Sequence, residues 1–305
     1  MRSHPQANPR FPNGSHRRVP ENDDGVTLRP FMPTLKAADN TELHFTSIGE
    51  GRPIVFLHAG LGWDSSYLIR SFSPMFEGDH HRLVFLDVRG NGRSSYAGEL
   101  SFELFSSDLL SLCELLDERV VLFGHSYGGT IAQVFATQHP ERLAGLILDS
   151  TFPAFDFLPQ ALERIQAKAT AEQMQTFGLL FGEIENDADY AAAITGLLPL
   201  YFHDEPDGWV AEFTDEVLFR ADAFRKGSAL LGEFNTLEQL GDINVPTWIA
   251  GGASDIYPLE PTAVRLNNLI PNSKLDVFEK SGHFPFVEES EKYRSQLMKF
   301  LGEVG

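Results

Sequence analysis

The sequence predicts an α/β chain: a mostly parallel sheet of eight strands flanked by helices, with an all-helical segment inserted before a strand near residue 247. Three observations predict it. The runs Ile54-Val55-Phe56-Leu57, Leu83-Val84-Phe85-Leu86, Val120-Val121-Leu122-Phe123 and Leu146-Ile147-Leu148 are continuously apolar, as expected of strands covered on both faces. Helical periodicities fall between these runs, so each strand–helix unit returns a parallel strand to the sheet. From Phe152 to Leu240 strand signals stop and only helical periodicity remains.

Taken in order, residues 1–33 are rich in arginine and proline, contain no lysine and lack the apolar h-region of a signal peptide. They are expected to be a disordered leader, and Met32 is a candidate natural start. Strands are expected at Thr34–Ala38 and Leu43–Ser47, more polar than the rest and suited to an antiparallel edge hairpin. Further strands are expected at Ile54–His58, Arg82–Asp87, Val120–Phe123, Ala144–Asp149, Thr247–Gly251 and Lys274–Phe278. Helices are expected at Ser101–Glu118, Thr130–His139, Pro261–Ile270 and Ser290–Gly302, and within the insertion at Leu158–Gly178, Ala188–Leu200 and Gly208–Leu231. The chain thus divides into a core at 34–151, a helical cap at 152–240 lying over the sheet's carboxyl edge, and the rest of the core at 241–305.

Composition restricts the function classes. The chain has 305 residues and a net charge of −19, which argues against nucleic acid or an anionic membrane surface as partner. A small-molecule substrate is the expected partner. No apolar run approaches the ~20 residues of a membrane span. Cys113, the single cysteine, precludes an intramolecular disulfide, fits a reducing, cytoplasmic setting, and reads as a small buried apolar group. Neither a cysteine zinc site nor a His-x-x-x-His helix is present, and no metal or organic cofactor is implied.

The chemistry centres on Leu122-Phe123-Gly124-His125-Ser126-Tyr127-Gly128-Gly129-Thr130. An apolar strand precedes it and an amphipathic segment follows, so Ser126 sits at a strand–turn–helix apex. Glycine two positions before and after the serine lets other backbone approach its flanks. The turn sets Ser126 at the positive end of the following helix, where N–H groups meet a developing anion. A serine hydroxyl needs a base. His283, in the turn-rich loop Lys280-Ser281-Gly282-His283-Phe284-Pro285 after the last strand, is positioned to be that base, while His125 supports the elbow. The imidazole in turn needs a buried carboxylate. Asp255, after the strand in Trp248-Ile249-Ala250-Gly251-Gly252-Ala253-Ser254-Asp255, is preferred; Asp149, directly after an earlier strand, is the rival. Asp87 is expected to fix the loop after its own strand. Two donors must face the oxyanion: the Tyr127 N–H, and one from the loop His58-Ala59-Gly60-Leu61-Gly62, where Gly60 is the better placed and Ala59 the alternative. His58 and Ala59 are also candidate substrate contacts.

These motifs, from about residue 35 to the end, resemble those of α/β-hydrolase-fold serine hydrolases with a helical cap. Asp64-Ser65-Ser66-Tyr67-Leu68 and Asp87-Val88-Arg89-Gly90-Asn91-Gly92-Arg93-Ser94 resemble the proline iminopeptidase-like group. Two positions depart from that group: its His-Gly-Gly-Pro-Gly is His58-Ala59-Gly60-Leu61-Gly62 here, and the acidic residue often found after the catalytic aspartate is Ile256. Glu233 is a candidate anchor for a substrate ammonium, its other reading being a surface helix residue. The resemblance implies a Ser126–His283–Asp255 acyl-enzyme mechanism on a small, largely apolar ester, lactone or amide. Proline-releasing aminopeptidase activity is the enzymatic alternative; a ligand-binding protein without turnover is the alternative from another class.

Overall fold

The computed structural model describes residues 33–95, 98–180, 182 and 184–304. Apart from Pro33, the leader read at residues 1–33 lies outside them, as does Met32. The chain begins with β1 (Thr34–Lys36), β2 (Glu42–Ile48), β3 (Arg52–Leu57), α1 (Ser66–Phe72), β4 (His81–Leu86), α2 (Phe102–Leu116), β5 (Val120–His125), α3 (Tyr127–Gln138) and β6 (Leu143–Asp149). Five insertion helices follow: α4 (Leu158–Lys168), α5 (Ala171–Leu180), α6 (Asp187–Leu197), α7 (Trp209–Glu216) and α8 (Ala221–Gly232). The chain then returns to the sheet with β7 (Thr247–Gly252), α9 (Arg265–Leu269), β8 (Ser273–Phe278), α10 (Pro285–Glu288) and α11 (Ser290–Glu303).

The eight strands form one sheet in the order β1-β2-β4-β3-β5-β6-β7-β8. β1 and β2 make the expected antiparallel edge, and β2 also runs antiparallel to β4. The remaining neighbours are parallel. The period-2 geometry of a strand explains why continuous apolar runs were required. Ile54 and Phe56 of β3 enter one core with Leu68 and Phe72 of α1 and Leu297 and Leu301 of α11. Val55 and Leu57 enter the opposite core with Leu109 and Leu112 of α2 and Ile131 and Phe135 of α3. Each such side chain, fully buried, contributes about 1.5–3 kcal/mol of hydrophobic stabilisation.

Four features differ from the sequence reading. The exchange of β3 and β4 in the sheet order has no signal in linear periodicity. α1 was not expected, because seven residues are too few to show a helical period. The helix expected over Leu158–Gly178 is two helices, α4 and α5, broken at Ala169–Thr170. There Thr170 and Gln173 form a capping box: the Gln173 N–H donates to Thr170 Oγ1 at 3.2 Å, and the Thr170 N–H to Gln173 Oε1 at 3.0 Å. The helix expected over Gly208–Leu231 is also two, α7 and α8, parted by an extended stretch at Val217–Arg220. The Arg220 N–H donates to the Gly62 carbonyl at 2.7 Å, which ties this break to the loop after β3. The Tyr190 hydroxyl of α6 donates to the neighbouring Leu61 carbonyl. The insertion is therefore anchored over the carboxyl ends of the strands. Among the described residues, no helix is long and apolar enough to cross a membrane.

Candidate active site

The turn between β5 and α3 holds Ser126 at φ 53°, ψ −115°, a conformation that costs a non-glycine residue of order 1–3 kcal/mol. The surroundings enforce it. The Ser126 N–H donates to the Asp149 carbonyl at 2.9 Å, and its own carbonyl accepts from the Gly129 N–H at 2.9 Å and Thr151 Oγ1 at 2.7 Å. A Cβ on Gly128 would stand 2.4 Å from the Leu57 carbonyl oxygen, so only glycine lets the elbow lie this close to β3. The serine is 6% exposed and lines a cavity of about 350 Å3 beneath the insertion.

His283 and Asp255 meet behind that cavity. His283 Nδ1 lies 2.7 Å from Asp255 Oδ2, with both residues buried. Against an ionised carboxylate, Nδ1 carries the proton and Nε2 is left as the basic nitrogen. The His283 N–H donates to the Tyr201 carbonyl at 2.6 Å, and the Tyr257 N–H donates to Asp255 Oδ1 at 3.1 Å. His283 lines the same cavity as Ser126. Among the described residues the imidazole is hydrogen-bonded through Nδ1 to Asp255, and no hydrogen bond joins it to Ser126. Such a contact often tightens only once substrate is bound.

Asp149 is held elsewhere. Its Oδ2 accepts the Tyr293 hydroxyl at 2.5 Å, and burial pushes its carboxyl up to about 7 despite that hydrogen bond. A carboxyl that is half protonated at neutral pH and already bonded is a poor partner for an imidazolium. Of the two candidates, Asp255 is the one in contact with His283.

On the far side of the serine, Tyr127 is the first residue of α3, so its N–H has no acceptor within the helix. The Ala59 N–H donates to the Tyr67 hydroxyl at 2.7 Å and is spent there. The Gly60 N–H is not, and Gly60 lines the cavity at φ +68°. A Cβ there would fall 2.0 Å from the Trp63 ring. Of the two candidates in this loop, Gly60 is the one whose amide is available.

Tyr67 extends this arrangement into a buried chain. Its hydroxyl, having accepted from Ala59, donates to His125 Nδ1 at 2.8 Å, and His125 Nε2–H donates to the His283 carbonyl at 2.9 Å. The loop after β3, the turn at Ser126 and the loop that carries His283 are thereby linked through two side chains. Burial, with the neighbouring His283, drives the His125 imidazole well below its ordinary range and keeps it neutral, as this chain requires.

His58 is brought near the site but not into it. Its Nδ1–H donates to the Ala59 carbonyl at 2.7 Å while Nε2 accepts the Val88 N–H at 3.1 Å, and the side chain is fully buried. It fastens the loop after β3 to the loop after β4; burial lowers its pKa. Asp87 accepts from Ser65 Oγ at 2.7 Å and from the Arg93 N–H at 3.0 Å, which fixes the same two loops. Ala59 lines the cavity. Glu233, exposed at the end of α8, lies outside it, so the structure does not bring this carboxylate to the serine. Sequence reasoning missed Tyr201 and Tyr257, whose rings pack edge-on against the His283 imidazole with centroids at 5.2 and 4.8 Å. Only the place of Tyr257, two residues after Asp255, offered a signal.

The comparisons agree with the fold. Residues 52–290 match the family model described as alpha/beta hydrolase fold. The proline iminopeptidase of Lactobacillus crispatus (strain ST1) is 26% identical over 280 residues, covering 86% of this chain and 95% of that protein. The pimeloyl-(acyl-carrier protein) methyl ester esterase of Aliivibrio fischeri (strain MJ11) is 23% identical over 272 residues, covering 86% and 98%. Among solved structures, an esterase from Exiguobacterium antarcticum superimposes with a TM-score of 0.73 at 25% identity, covering 88% of this chain and 98% of that one. The chain belongs to the α/β-hydrolase fold family and is a hydrolase, similar to proline iminopeptidases and to esterases of that fold.

Proposed function

We propose that this hydrolase works through an acyl-enzyme on Ser126 and that its substrates are small, neutral, largely apolar carboxylic esters, with lactones and amides of the same shape as secondary substrates. His283 Nε2 takes the Ser126 proton as Oγ attacks the carbonyl carbon. The Tyr127 and Gly60 N–H groups receive the oxyanion, and Asp255 keeps the imidazolium oriented. The imidazolium proton then goes to the departing alkoxide as its C–O bond breaks. Water, deprotonated by the same imidazole, releases the acid from the acyl-enzyme.

The observation that carries the substrate class is the lining of the cavity. Phe152, Phe177, Leu180, Ile194, Leu197 and Leu200 are representative of its walls, and among the described residues no Asp, Glu, Lys or Arg contributes. A cavity of about 350 Å3 holds roughly ten groups of water size at ~30 Å3 each, enough for a short to medium acyl chain. Each methylene buried there contributes about 0.8 kcal/mol, or roughly fourfold in kcat/KM while space remains.

Proline iminopeptidase activity is the second reading, favoured by the relatives that carry that name. An amino-terminal ammonium, strongly solvated in water, needs a carboxylate in the pocket that receives it. Ile256 follows Asp255, and Glu233 lies outside the cavity. The test is a comparison of proline β-naphthylamide with p-nitrophenyl acetate, butyrate and hexanoate, on the wild type and on Ser126→Ala. The proposal expects kcat/KM to rise along the ester series, little turnover of the amide, and no turnover by the variant. A strong preference for the prolyl amide overturns the substrate class, and full activity of Ser126→Ala overturns the mechanism.

A further inference from the structure

The loop that carries Asp255 is held on its two edges by different parts of the fold. On one edge its N–H groups bond within the core: the Ala253 N–H donates to the Phe278 carbonyl at 2.9 Å and the Ser254 N–H to the Ser281 carbonyl at 3.0 Å. These bonds fasten it to the end of β8 and to the loop of His283. On the other edge its carbonyls face the insertion. Arg164 Nη1 donates to the Asp255 carbonyl at 2.6 Å and, at 3.4 Å, to that of Ala253; Lys168 Nζ donates to the Ser254 carbonyl at 2.6 Å. Three consecutive carbonyls thus end on two cationic side chains of α4.

Arg164 and Lys168 stand four residues apart on α4, so they lie on one face of the helix, a turn from each other. The Asp255 N–H reaches its own acceptor, the Gly252 carbonyl, only at 3.3 Å. The charge-assisted bond from Arg164, at 2.6 Å, is therefore the stronger of the two that fix the Asp255 backbone. Ser254 is held through its side chain as well, with Oγ 2.7 Å from Nδ1 of His203 in the segment between α6 and α7. Ile165, next to Arg164, is buried and lines the cavity that holds Ser126 and His283. One helix thus walls that cavity and grips the loop of the acid.

We infer that Arg164, supported by Lys168, is a positioning residue of the reaction: it holds the Asp255 backbone so that the carboxylate keeps its 2.7 Å contact with His283 Nδ1. The inference rests on the acyl-enzyme reading above and adds the insertion to the machinery of that mechanism. The imidazolium that forms as Ser126 attacks is oriented and stabilised only while the carboxylate stays within hydrogen-bond reach. A misplacement of about 1 Å can cost on the order of 100-fold in rate. Without the guanidinium the loop keeps its bonds to β8 and to the loop of His283, so the fold has what it needs, but the Asp255 peptide is left with its long amide bond alone. The loss then falls on kcat, while KM, set by the apolar walls of the cavity, changes little.

The experiment measures kcat and KM for p-nitrophenyl butyrate in a cycle of wild type, Arg164→Met, Asp255→Asn and the double variant, with Arg164→Lys, Lys168→Met and Ser126→Ala beside them. Methionine keeps the apolar stem of Arg164 and removes its donors. Arg164→Met is expected to lower kcat about 10- to 100-fold with KM within about twofold, and Arg164→Lys to recover most of that loss. Lys168→Met, at a more exposed bond, is expected to cost about threefold. In the Asp255→Asn background the effect of Arg164→Met is expected to vanish, because a residue that acts through the carboxylate has nothing left to position. A loss of folded protein would instead lower both backgrounds alike. No loss in Arg164→Met, or an equal loss with and without the Asp255 carboxylate, overturns the assignment. Should Arg164→Met fail to fold, Lys168→Met takes its place in the cycle, and an equal loss in both backgrounds again overturns it. Ser126→Ala or Asp255→Asn turning over the ester at the wild-type rate overturns the acyl-enzyme reading itself; with both inactive or crippled and the cycle additive, only the role of Arg164 falls.

Discussion

Replacing Tyr67 with phenylalanine deletes one oxygen, and the structure allows the consequence to be worked out. The hydroxyl accepts from the Ala59 N–H at 2.7 Å and donates to His125 Nδ1 at 2.8 Å, and the side chain has no solvent exposure. Tyr67→Phe leaves the packing in place but strips a partner from two buried polar groups. Each costs about 1–3 kcal/mol when left unpaired, giving about 4 kcal/mol as a central value. For a domain of this size that lowers Tm by about 8–16 °C. The same change frees the loop that presents the Gly60 amide. Losing an oxyanion donor outright costs about 100- to 1,000-fold in kcat, so a loosened donor is expected to cost about 10- to 100-fold, with KM changed far less. Thermal unfolding by circular dichroism at fixed scan rate, beside steady-state kinetics on p-nitrophenyl butyrate, measures both effects. A variant that melts within 2 °C of the wild type, an interval worth about 1 kcal/mol or less, and keeps its kcat would refute the role given to this chain of hydrogen bonds.

Two further outcomes follow from burial. Cys113 is 1% exposed and burial pushes its thiol up to about 12, so Ellman's reagent at pH 8 is expected to leave the native protein unmodified and to titrate one thiol in guanidinium; rapid reaction of the native protein would contradict its place in the core. Asp149 has its carboxyl raised from 3.8 to about 7, so the folded protein keeps a proton that the unfolded chain releases, and this group makes stability fall as pH rises between those values. The interval corresponds to about 4 kcal/mol. Urea unfolding of Asp149→Asn should therefore gain on the wild type as pH is raised from 4 to 7, and a stability difference independent of pH would show that Asp149 is ionised throughout.

Much of the fold was legible in the sequence because burial on both faces leaves a mark that needs no neighbours to interpret. The runs at Ile54–Leu57, Val120–Phe123 and Leu146–Leu148 lie within β3, β5 and β6. What stayed hidden was set by contacts between distant residues. The capping box at Thr170 and Gln173 was present in the letters, but a continuous apolar period across it masked the break. The break at Val217–Arg220 exists because the Arg220 amide reaches Gly62, a pairing no local pattern carries. The same distinction runs through the site. The elbow is a contiguous motif, and the loop order Ser126, Asp255, His283 follows from topology. Tyr67 and Tyr201 act through partners far from them in the chain, the first through His125 and the second against His283, and no local pattern carries those pairings. Asp149 and Asp255 were both strand-end carboxylates; their difference is one of environment, since Tyr293 holds the first and His283 meets the second.

The account stands on Ser126 as a nucleophile activated by His283, and covalent labelling tests that most directly. Folded protein is treated with an alkyl fluorophosphonate, digested, and mapped by mass spectrometry beside His283→Ala. The account predicts one phosphonyl group, carried by Ser126 in the wild type and lost when the imidazole is removed. A wild-type protein that stays unlabelled at Ser126, or a His283→Ala variant labelled there at the same rate, would contradict it.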